Sequence, residues 1–321
     1  MRHHPLRFVL AALLLAAPAT QAQDAAYPSR AVTLVVPTAA GSSTDTFARF
    51  FADQLARRLN QPFVVEPTPG AGGTLGVNRV LSRPADGYTV LMGTSATNAA
   101  NFSLYKTLPY TPADFAPVAC VYLLPPVVAV GSHVPAKTVA ELVALAKASP
   151  GKLTYGYGSS SNKIGAELFK ARAGVDILGV PYKGAPQVIS DILGGRIDMN
   201  VESATTVVPH AEKGAMRILA VLSEKRLASM PDVPTIEEAG LANAVMTPWV
   251  GIFVKAGTPK PIIDKLNAAL GASLASPDYA QLESRAKSQA FFCSPAELGA
   301  FAQKEVQRWA ELAKMANIER E

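Results

Sequence analysis

Few side chains of this sequence belong to the types that perform catalysis or hold metal ions. Its 321 residues include two cysteines and four histidines. Beyond the N-terminal segment the histidines are His133 and His210, which stand far apart and in no motif. A serine-type triad requires a histidine base, and metal sites require suitably spaced ligands, so neither kind of site is indicated.

Charge is also scarce, since only 17% of the residues are Asp, Glu, Lys or Arg. The net charge of +5 is dispersed, with no arginine run and no basic patch interleaved with aromatic residues. This excludes a nucleic-acid-binding surface. With 49% hydrophobic residues, the chain is globular and can bury one or two sizeable cores.

The only conspicuous apolar run lies near the N terminus. Residues 1–7 are basic, residues 8–17 are apolar, and residues 18–22 are small or polar. This pattern predicts a secretory signal peptide cleaved between Ala22 and Gln23. The run is too short for a transmembrane span, which needs about 20 apolar residues. We therefore expect a periplasmic protein that is not inserted in a membrane.

Strand and helix patterns alternate along the remaining chain. The apolar segments "AVTLVVP", "FVVEP" and "YTVLMGT" are followed by helical patterns over 44–59 and 74–82 and by a polar loop. After a proline-rich passage, 107–131, the alternation restarts with helices over 139–148 and 164–173. Such alternation of apolar strands and helices predicts parallel sheets covered on both faces. Two units joined by proline-rich crossings indicate two lobes with a cleft between them.

Two helices carry clear periodic patterns. The first presents Phe47, Phe51 and Leu55 on one face, and its candidate N-cap residues are Ser43, Thr44 and Asp45. The last opens with "SPAE" at 294–297, an N-cap serine, a first-turn proline and a capping-box glutamate. Its apolar stripe consists of Leu298, Phe301, Val306, Trp309 and Leu312.

Two junctions of strand, small-residue loop and helix echo each other. They are "VTLVVPTAAGSSTDTFARF" at 32–50 and "LTYGYGSSSNKIGAELF" at 153–169. Ligands of open α/β sheets bind beyond the carboxyl ends of strands, where helix N-termini present free N–H groups and partial positive charge. One such loop in each lobe would hold an anion from both sides.

Several catalytic patterns are incomplete. The S-x-x-K spacing at 160–163 lacks its partner motifs, and the loop 93–97 resembles a nucleophile elbow without the final glycine. Segment 69–76 has Leu75 where a dinucleotide fingerprint requires glycine. We therefore expect no enzyme activity, no cofactor and no metal site.

Cys120 and Cys293 form an even pair in an exported protein, which favours a disulfide in an oxidising compartment. Two buried free thiols are the alternative.

A set of motifs, in order along nearly the whole mature chain, resembles the Bug-type solute receptors of tripartite tricarboxylate transporters. The motifs are "YPSRAVTLVVPTAAGSSTDTFAR", "PTPGAGGTLG", "PADGYTVLMGTSATNA", "YTPADFAPVA", "VPYKGAPQVISDILGGRIDM", "MPDVPTIEEAGL" and "GIFVKAGTPKPIIDKLNAAL". Each is weak alone, but the set is specific.

The resemblance implies a type II periplasmic-binding-protein fold, α/β in class, with two α/β lobes, a ligand cleft and two crossing strands. The first lobe would comprise 23–123 and 247–321 and the second 124–246. Both cysteines would then lie in the first lobe.

The resemblance also implies which residues bind the ligand. A ligand carboxylate would meet backbone and hydroxyl donors of the first loop, with further residues contributed by the loops that follow other strands. The implied ligand-binding residues are Thr38, Ala40, Gly41, Ser42, Ser43, Asp45, Gly72, Thr94, Ser95, Ser159, Ser160, Asn162, Tyr182, Glu202 and Trp249. For the small loop residues the alternative is a packing role, and for Tyr182 and Trp249 it is core or hinge packing.

The sequence departs from the family pattern at positions that bear on ligand identity. Thr38 replaces a common Phe, "SS" at 42–43 replaces glycines, and Glu202 replaces a frequent Asp. A cleft-facing Glu202 would repel a second ligand carboxylate and favour a hydroxyl, amine or neutral donor, unless a cation such as Lys183 intervenes. The alternative for Glu202 is capping or pairing with a lysine, and for Lys183 it is a solvated surface position.

The implied function is capture of a small organic acid for integral membrane permease subunits by a monomeric receptor. The acid would be a mono-, di- or tricarboxylate, an aromatic acid or an amino acid. A receptor that feeds a sensor partner without transport is the alternative, and an exported hydrolase is disfavoured by the missing base.

Overall fold

The computed structural model describes residues 27–227 and 229–320. The predicted signal peptide, residues 1–22, and its cleavage site lie outside the described residues. No helix in the described ranges is both long and apolar enough to cross a membrane.

Two separate sheets organise the chain, which confirms a two-lobed α/β fold. The first sheet contains β1 (Val32–Val36), β2 (Phe63–Pro67), β3 (Thr89–Thr94), β4 (Phe115–Leu123), β10 (Trp249–Lys255) and β11 (Gln289–Ala290). The second contains β5 (Pro126–Gly131), β6 (Thr154–Tyr157), β7 (Leu178–Pro181), β8 (Met199–Ser203) and β9 (Met216–Val221). The spatial orders are β11-β4-β10-β3-β1-β2 and β7-β6-β8-β5-β9. We refer to the parts built on these sheets as the first and second lobes.

Both sheets are mixed, so the prediction of parallel sheets is wrong in part. Strand β1 pairs in parallel with β2 and β3, but β10 runs antiparallel to β3 and β4. In the second sheet β6 is parallel to β7 and β8, whereas β5 is antiparallel to β8 and β9. Strands β4, β5 and β10 flank the passages between the sheets, where the chain direction reverses. Apolar patterning reports burial of both faces and does not encode direction.

Ten α-helices lie in the described ranges. They are α1 (Ser43–Leu59), α2 (Thr74–Leu81), α3 (Asn101–Leu104), α4 (Val139–Ala148), α5 (Ser160–Ala173), α6 (Ala185–Leu193), α7 (Ala204–Ala211), α8 (Lys260–Leu274), α9 (Pro277–Ala286) and α10 (Pro295–Met315). Helix α4 has the predicted bounds, and α5 begins four residues before the predicted start. The polar loop expected after β3 is instead a helical turn, Ala96–Ala100, that continues into α3.

Helix α1 confirms the predicted buried face but not the predicted cap. Phe47, Phe51 and Leu55 are buried, and the Phe47 ring stacks on Tyr122 of β4 with centroids 4.0 Å apart. The N-cap is Ser42, whose hydroxyl accepts a hydrogen bond from the Asp45 N–H. The cap therefore lies one residue before the predicted candidates, because Ser42 is the last residue with extended backbone.

Helix α10 matches its prediction closely. Ser294 and Glu297 form the capping box, and Leu298, Trp309 and Leu312 are buried. Phe301 and Val306 are partly buried against the same core. The helix thus packs along the first lobe as the stripe indicated.

The disulfide between Cys120 and Cys293 is present, so the alternative of two free thiols is wrong. It joins β4 to the segment that precedes α10. Together with the Asn267 amide, which donates to Val118 O and Cys293 O at 2.8 and 3.1 Å, it fixes the C-terminal region to the sheet.

Candidate functional site

A cavity of about 320 Å³ lies between the two lobes. The N-terminal ends of several helices meet there, among them those of α1, α2, α5, α6 and α7. Each such end presents N–H groups without intrahelical acceptors and a partial positive charge. The cavity is therefore suited to an anionic group.

Most residues predicted to bind a ligand line this cavity. They are Thr38, Ser42, Ser43, Gly72, Thr94, Ser95, Ser159, Asn162, Tyr182, Glu202 and Trp249. They come from seven separate stretches of the chain, so only the packing of the two lobes brings them together.

The remaining predicted residues lie outside the lining, and two of them hold the loops in place. The Asp45 carboxylate accepts the Gly41 N–H at 2.9 Å and pairs with Arg49 at 3.0 Å. An anion engaged in this way supports the first loop and does not face the cavity. Ser160 donates to Asn101 Oδ1 at 2.7 Å, and Ala40 and Gly41 shape the turn before α1.

The wall contributed by the first lobe is rich in hydroxyl groups. Thr38 Oγ1 and Ser42 Oγ share a hydrogen bond of 2.8 Å, which orders the loop. The Ser43 side chain is buried, lines the cavity and has no hydrogen bond within the described residues. It remains available as a donor to a bound group.

The wall contributed by the second lobe is built on the loop before α5. Ser159 caps this helix by accepting the Asn162 N–H at 3.2 Å, and the Asn162 amide donates to Val201 O at 2.9 Å. This bond fixes the loop to β8, the strand that ends in Glu202.

Glu202 is 7% exposed and lines the cavity. Its Oε1 atom accepts the Ser203 N–H at 2.7 Å. Burial raises the pKa of this carboxyl group, and the hydrogen-bonding groups of Ser203 and Asn162 oppose the rise. Within the described residues Glu202 forms no ion pair, so the alternative of pairing with a lysine is not observed. Its hydrogen bond with the Ser203 N–H lies at the start of α7 and resembles a helix cap.

Two aromatic side chains complete the lining. Trp249 is buried, and its ring meets Phe301 edge-on at 5.3 Å, so it belongs to both the core and the cavity. The Tyr182 hydroxyl donates to Asp191 Oδ2 at 2.6 Å, which directs it away from a ligand role and leaves the ring to line the cavity.

The lobes touch each other beside the cavity. Ser95 Oγ and Ser161 Oγ lie 3.1 Å apart, and Thr205 Oγ1 donates to Ala286 O at 2.5 Å. A Cβ atom on Gly184 would lie 2.6 Å from the Ala39 Cβ atom, so glycine is required for this approach. These contacts describe a closed cleft.

Some lining residues were not predicted as ligand-binding. Near the crossings they are Leu124, Pro126 and Pro248, and at helix starts they include Thr97, Ala185 and Ser203. The proline-rich crossings and the "YKGAP" helix start were the available sequence signals. Lys183 also lines the cavity, and its side chain is largely exposed.

The lining contains no histidine or cysteine among the described residues. In the same ranges no cluster of three His, Cys, Asp or Glu side chains is placed to hold a metal ion. The arrangement offers hydroxyls and N–H donors to a bound group.

Comparison with known proteins agrees with this geometry. The model of the "Tripartite tricarboxylate transporter family receptor" family matches residues 47–318. Protein BugT of Bordetella pertussis is 33% identical over 293 residues, covering 90% of each chain. The structure of R. palustris Rpa4515 with adipate superposes with a TM-score of 0.89 at 34% identity, covering 92% of this chain and 100% of that one. The periplasmic binding protein BugD gives a TM-score of 0.88 at 32% identity, with the same coverage.

Proposed function

Because the chain belongs to the tripartite tricarboxylate transporter receptor family, we propose that it captures a small carboxylated organic molecule and delivers it to the membrane subunits of such a transporter. The observation that carries the proposal is the interlobe cavity, where helix N-termini and hydroxyl groups from both lobes converge. Adipate, the molecule present in the Rpa4515 structure, is a carboxylate of the class that such a cavity suits.

The affinity of the interlobe cavity for a carboxylate can be estimated from the number of its hydrogen-bond donors. A hydrogen bond to a charged group contributes about 1.5–3 kcal/mol, and a helix N-terminus contributes about 0.3–1 kcal/mol. Four or five such donors offset an association cost of at least about 4 kcal/mol. Micromolar binding, about −8 kcal/mol, follows without a salt bridge.

The binding residues of the proposal are those of the lining named above, with Asp45, Ser160, Ala40 and Gly41 in supporting positions. We further propose that the protein binds without catalysis and acts as a monomer. The lobe bounds 23–123, 124–246 and 247–321 belong to the same proposal. They are supported by the passage from β4 to β5 and by the hydrogen bond from Leu124 N to Pro248 O at 2.8 Å, where the chain crosses between lobes.

The test is a thermal-shift screen of the mature protein against mono-, di- and tricarboxylates, aromatic acids and amino acids, followed by calorimetry. At least one acid should raise the melting temperature and bind with micromolar or tighter affinity, while the corresponding primary amide should not. The proposal fails if no acid binds. Periplasmic location is tested separately by N-terminal sequencing of exported protein, which should begin at Gln23.

A further inference from the structure

The second-lobe wall of the cavity carries one buried carboxylate. Glu202 ends β8, is 7% exposed, and lines the cavity together with Ser203 and Asn162. Its position at the end of a strand fixes its backbone, and the Ser203 N–H holds Oε1 at 2.7 Å. The carboxyl group is thus a fixed feature of the cavity wall.

No cation of the described chain pairs with this carboxylate. Lys183 is the lysine that lines the same cavity, but its side chain is largely exposed and makes no ion pair with Glu202. The other titratable lining residue is Tyr182, whose hydroxyl donates to Asp191. A buried charge is strongly unfavourable unless it is paired, and the hydrogen-bonding groups of Ser203 and Asn162 offset only part of the cost.

The opposite wall carries no carboxylate among the described lining residues. Ser42, Ser43 and Thr44 present hydroxyls and the N-terminal end of α1 towards the cavity. The closed cavity therefore has donors on both lobes, whereas its one acidic lining side chain in the described ranges, Glu202, lies on the second lobe. A complementary ligand is negative at one end and positive at the other.

We propose that the ligand carries a protonated amine as well as a carboxylate, and that the amine binds Glu202, so that the substrates are amino acids or related aminocarboxylates. This inference rests on the proposed function and narrows its ligand class. A second ligand carboxylate would be repelled by Glu202, and a hydroxyl group would leave the buried charge uncompensated. An ammonium group supplies both the hydrogen bond and the opposite charge.

Matched ligands test the inference. Each set compares an amine, a hydroxyl compound and a dicarboxylate; in the first two sets all three have the same number of carbons, and in the last two the carboxylate replaces the ammonium group on the same carbon. The sets are 6-aminohexanoate, 6-hydroxyhexanoate and adipate; 4-aminobutanoate, 4-hydroxybutanoate and succinate; alanine, lactate and methylmalonate; and phenylalanine, phenyllactate and benzylmalonate. Calorimetry at pH 7.5 on the mature protein should show, in the set that binds best, the amine at least tenfold tighter than the dicarboxylate.

One variant and one control test whether Glu202 causes the preference for the amine. Glu202→Gln keeps the size and one acceptor but removes the charge, so the preference for the amine should fall below threefold and dicarboxylate binding should improve. Glu212→Gln changes the net charge equally at an exposed position of the same lobe and should keep the wild-type ranking. Circular dichroism of all proteins shows whether they are folded.

The outcomes separate the two proposals. Wild-type protein that binds dicarboxylates or hydroxy acids as tightly as the matched amines overturns the inference and leaves the proposed function standing. Glu202→Gln protein that folds and keeps the full preference for amines also overturns it. If no acid of any kind binds, the proposed function fails and the inference fails with it.

Discussion

The Ser160 hydroxyl donates a hydrogen bond to Asn101 Oδ1 over 2.7 Å and thereby joins the second lobe to the first. Both side chains are buried. Asn101 is held in turn by bonds from its amide to Gly72 O and Tyr110 Oη, at 3.0 and 3.1 Å. The Asn101 side chain is therefore held by first-lobe groups, independently of its hydrogen bond with Ser160.

We expect Ser160→Ala to weaken ligand binding about threefold to tenfold, because this bond is lost when the lobes separate and a hydrogen bond contributes about 0.5–1.5 kcal/mol. Calorimetry with the best acid from the screen measures the change. Ser190→Ala, at an exposed position of α6, serves as the control and should bind as wild type does. Equal affinity of Ser160→Ala and wild type would show that the bond does not contribute to closure.

Ser43→Ala should weaken binding roughly tenfold, which corresponds to about 1.4 kcal/mol. The Ser43 side chain is buried in the cavity wall without a hydrogen bond in the described residues, so its loss removes a ligand contact and little internal structure. Ser284→Ala, exposed on α9, is the matched control. An unchanged dissociation constant for Ser43→Ala would leave the first loop with a packing role only.

The first loop requires glycine at position 41, because the backbone there has a φ of +79°. The Gly41 N–H donates a hydrogen bond to the Asp45 carboxylate. Gly41 itself lies outside the cavity lining, so a side chain added there acts on the ligand only through the loop. We expect Gly41→Ala to cost about 1–2 kcal/mol of stability through left-handed backbone strain and to reduce affinity by displacing Ser42 and Ser43.

The control for Gly41 is Gly240→Ala. Gly240 has φ of +95° and open space around it, so this variant should lose stability to a similar degree. Its ligand affinity should equal that of wild type. If both variants retain wild-type affinity, the loop geometry is not what positions the ligand.

The disulfide should contribute about 2–5 kcal/mol to the free energy of unfolding, because it closes a long loop, with a sequence separation of 173 between its cysteines. Urea unfolding of the double variant Cys120→Ala, Cys293→Ala should show this loss, and reduced wild-type protein should show the same. Thiol titration of unfolded, non-reduced protein should detect no free thiol. Two reactive thiols would refute the bond.

Glu305 should make stability depend on pH. Burial raises its pKa above the ordinary value of 4.5, an effect that Arg308 and the hydrogen bond from Trp309 Nε1 oppose. A raised folded-state pKa means that the stability contribution is present below pH 4.5 and is lost as pH rises through the folded-state value. The free energy of unfolding should therefore fall as pH rises from 4.5 through the folded-state pKa of Glu305.

Glu305→Gln should remove part of that slope in urea unfolding measured between pH 4 and 8, since glutamine keeps an acceptor for Trp309 and does not ionise. Glu311→Gln, exposed on the same helix, should leave the slope unchanged. Identical slopes for wild type and Glu305→Gln would contradict the assignment.

The local signals of this sequence predicted its elements well. Helix α4 and the capping box of α10 were predictable because capping chemistry and apolar periodicity are properties of neighbouring residues. The N-cap of α1 was missed by one residue, since four consecutive hydroxyl or acidic side chains at 42–45 are all chemically able to cap. The helical turn after β3 was missed because its small polar residues resemble a loop.

The two-unit α/β organisation and, through the set of motifs, the resemblance to a receptor family could be predicted from the amino-acid sequence. Most of the residues that the resemblance implied as ligand-binding, eleven of fifteen, line the cavity. These conclusions rest on residue spacing and side-chain chemistry within short segments. Both are independent of how the segments pack in three dimensions.

Strand direction, the disulfide and the different roles of the residues in the first loop became known from the three-dimensional packing. The antiparallel course of β10 arises from its return out of the second lobe. Asp45 and Ser43 lie two residues apart, yet Asp45 turns back to Gly41 and Arg49 while Ser43 lines the cavity. Likewise, only the packing of β8 against the helix starts around it makes Glu202 a buried carboxylate that has no cationic partner among the described residues. Long-range packing selects among local alternatives that are nearly equal in energy, so no short segment could have decided them.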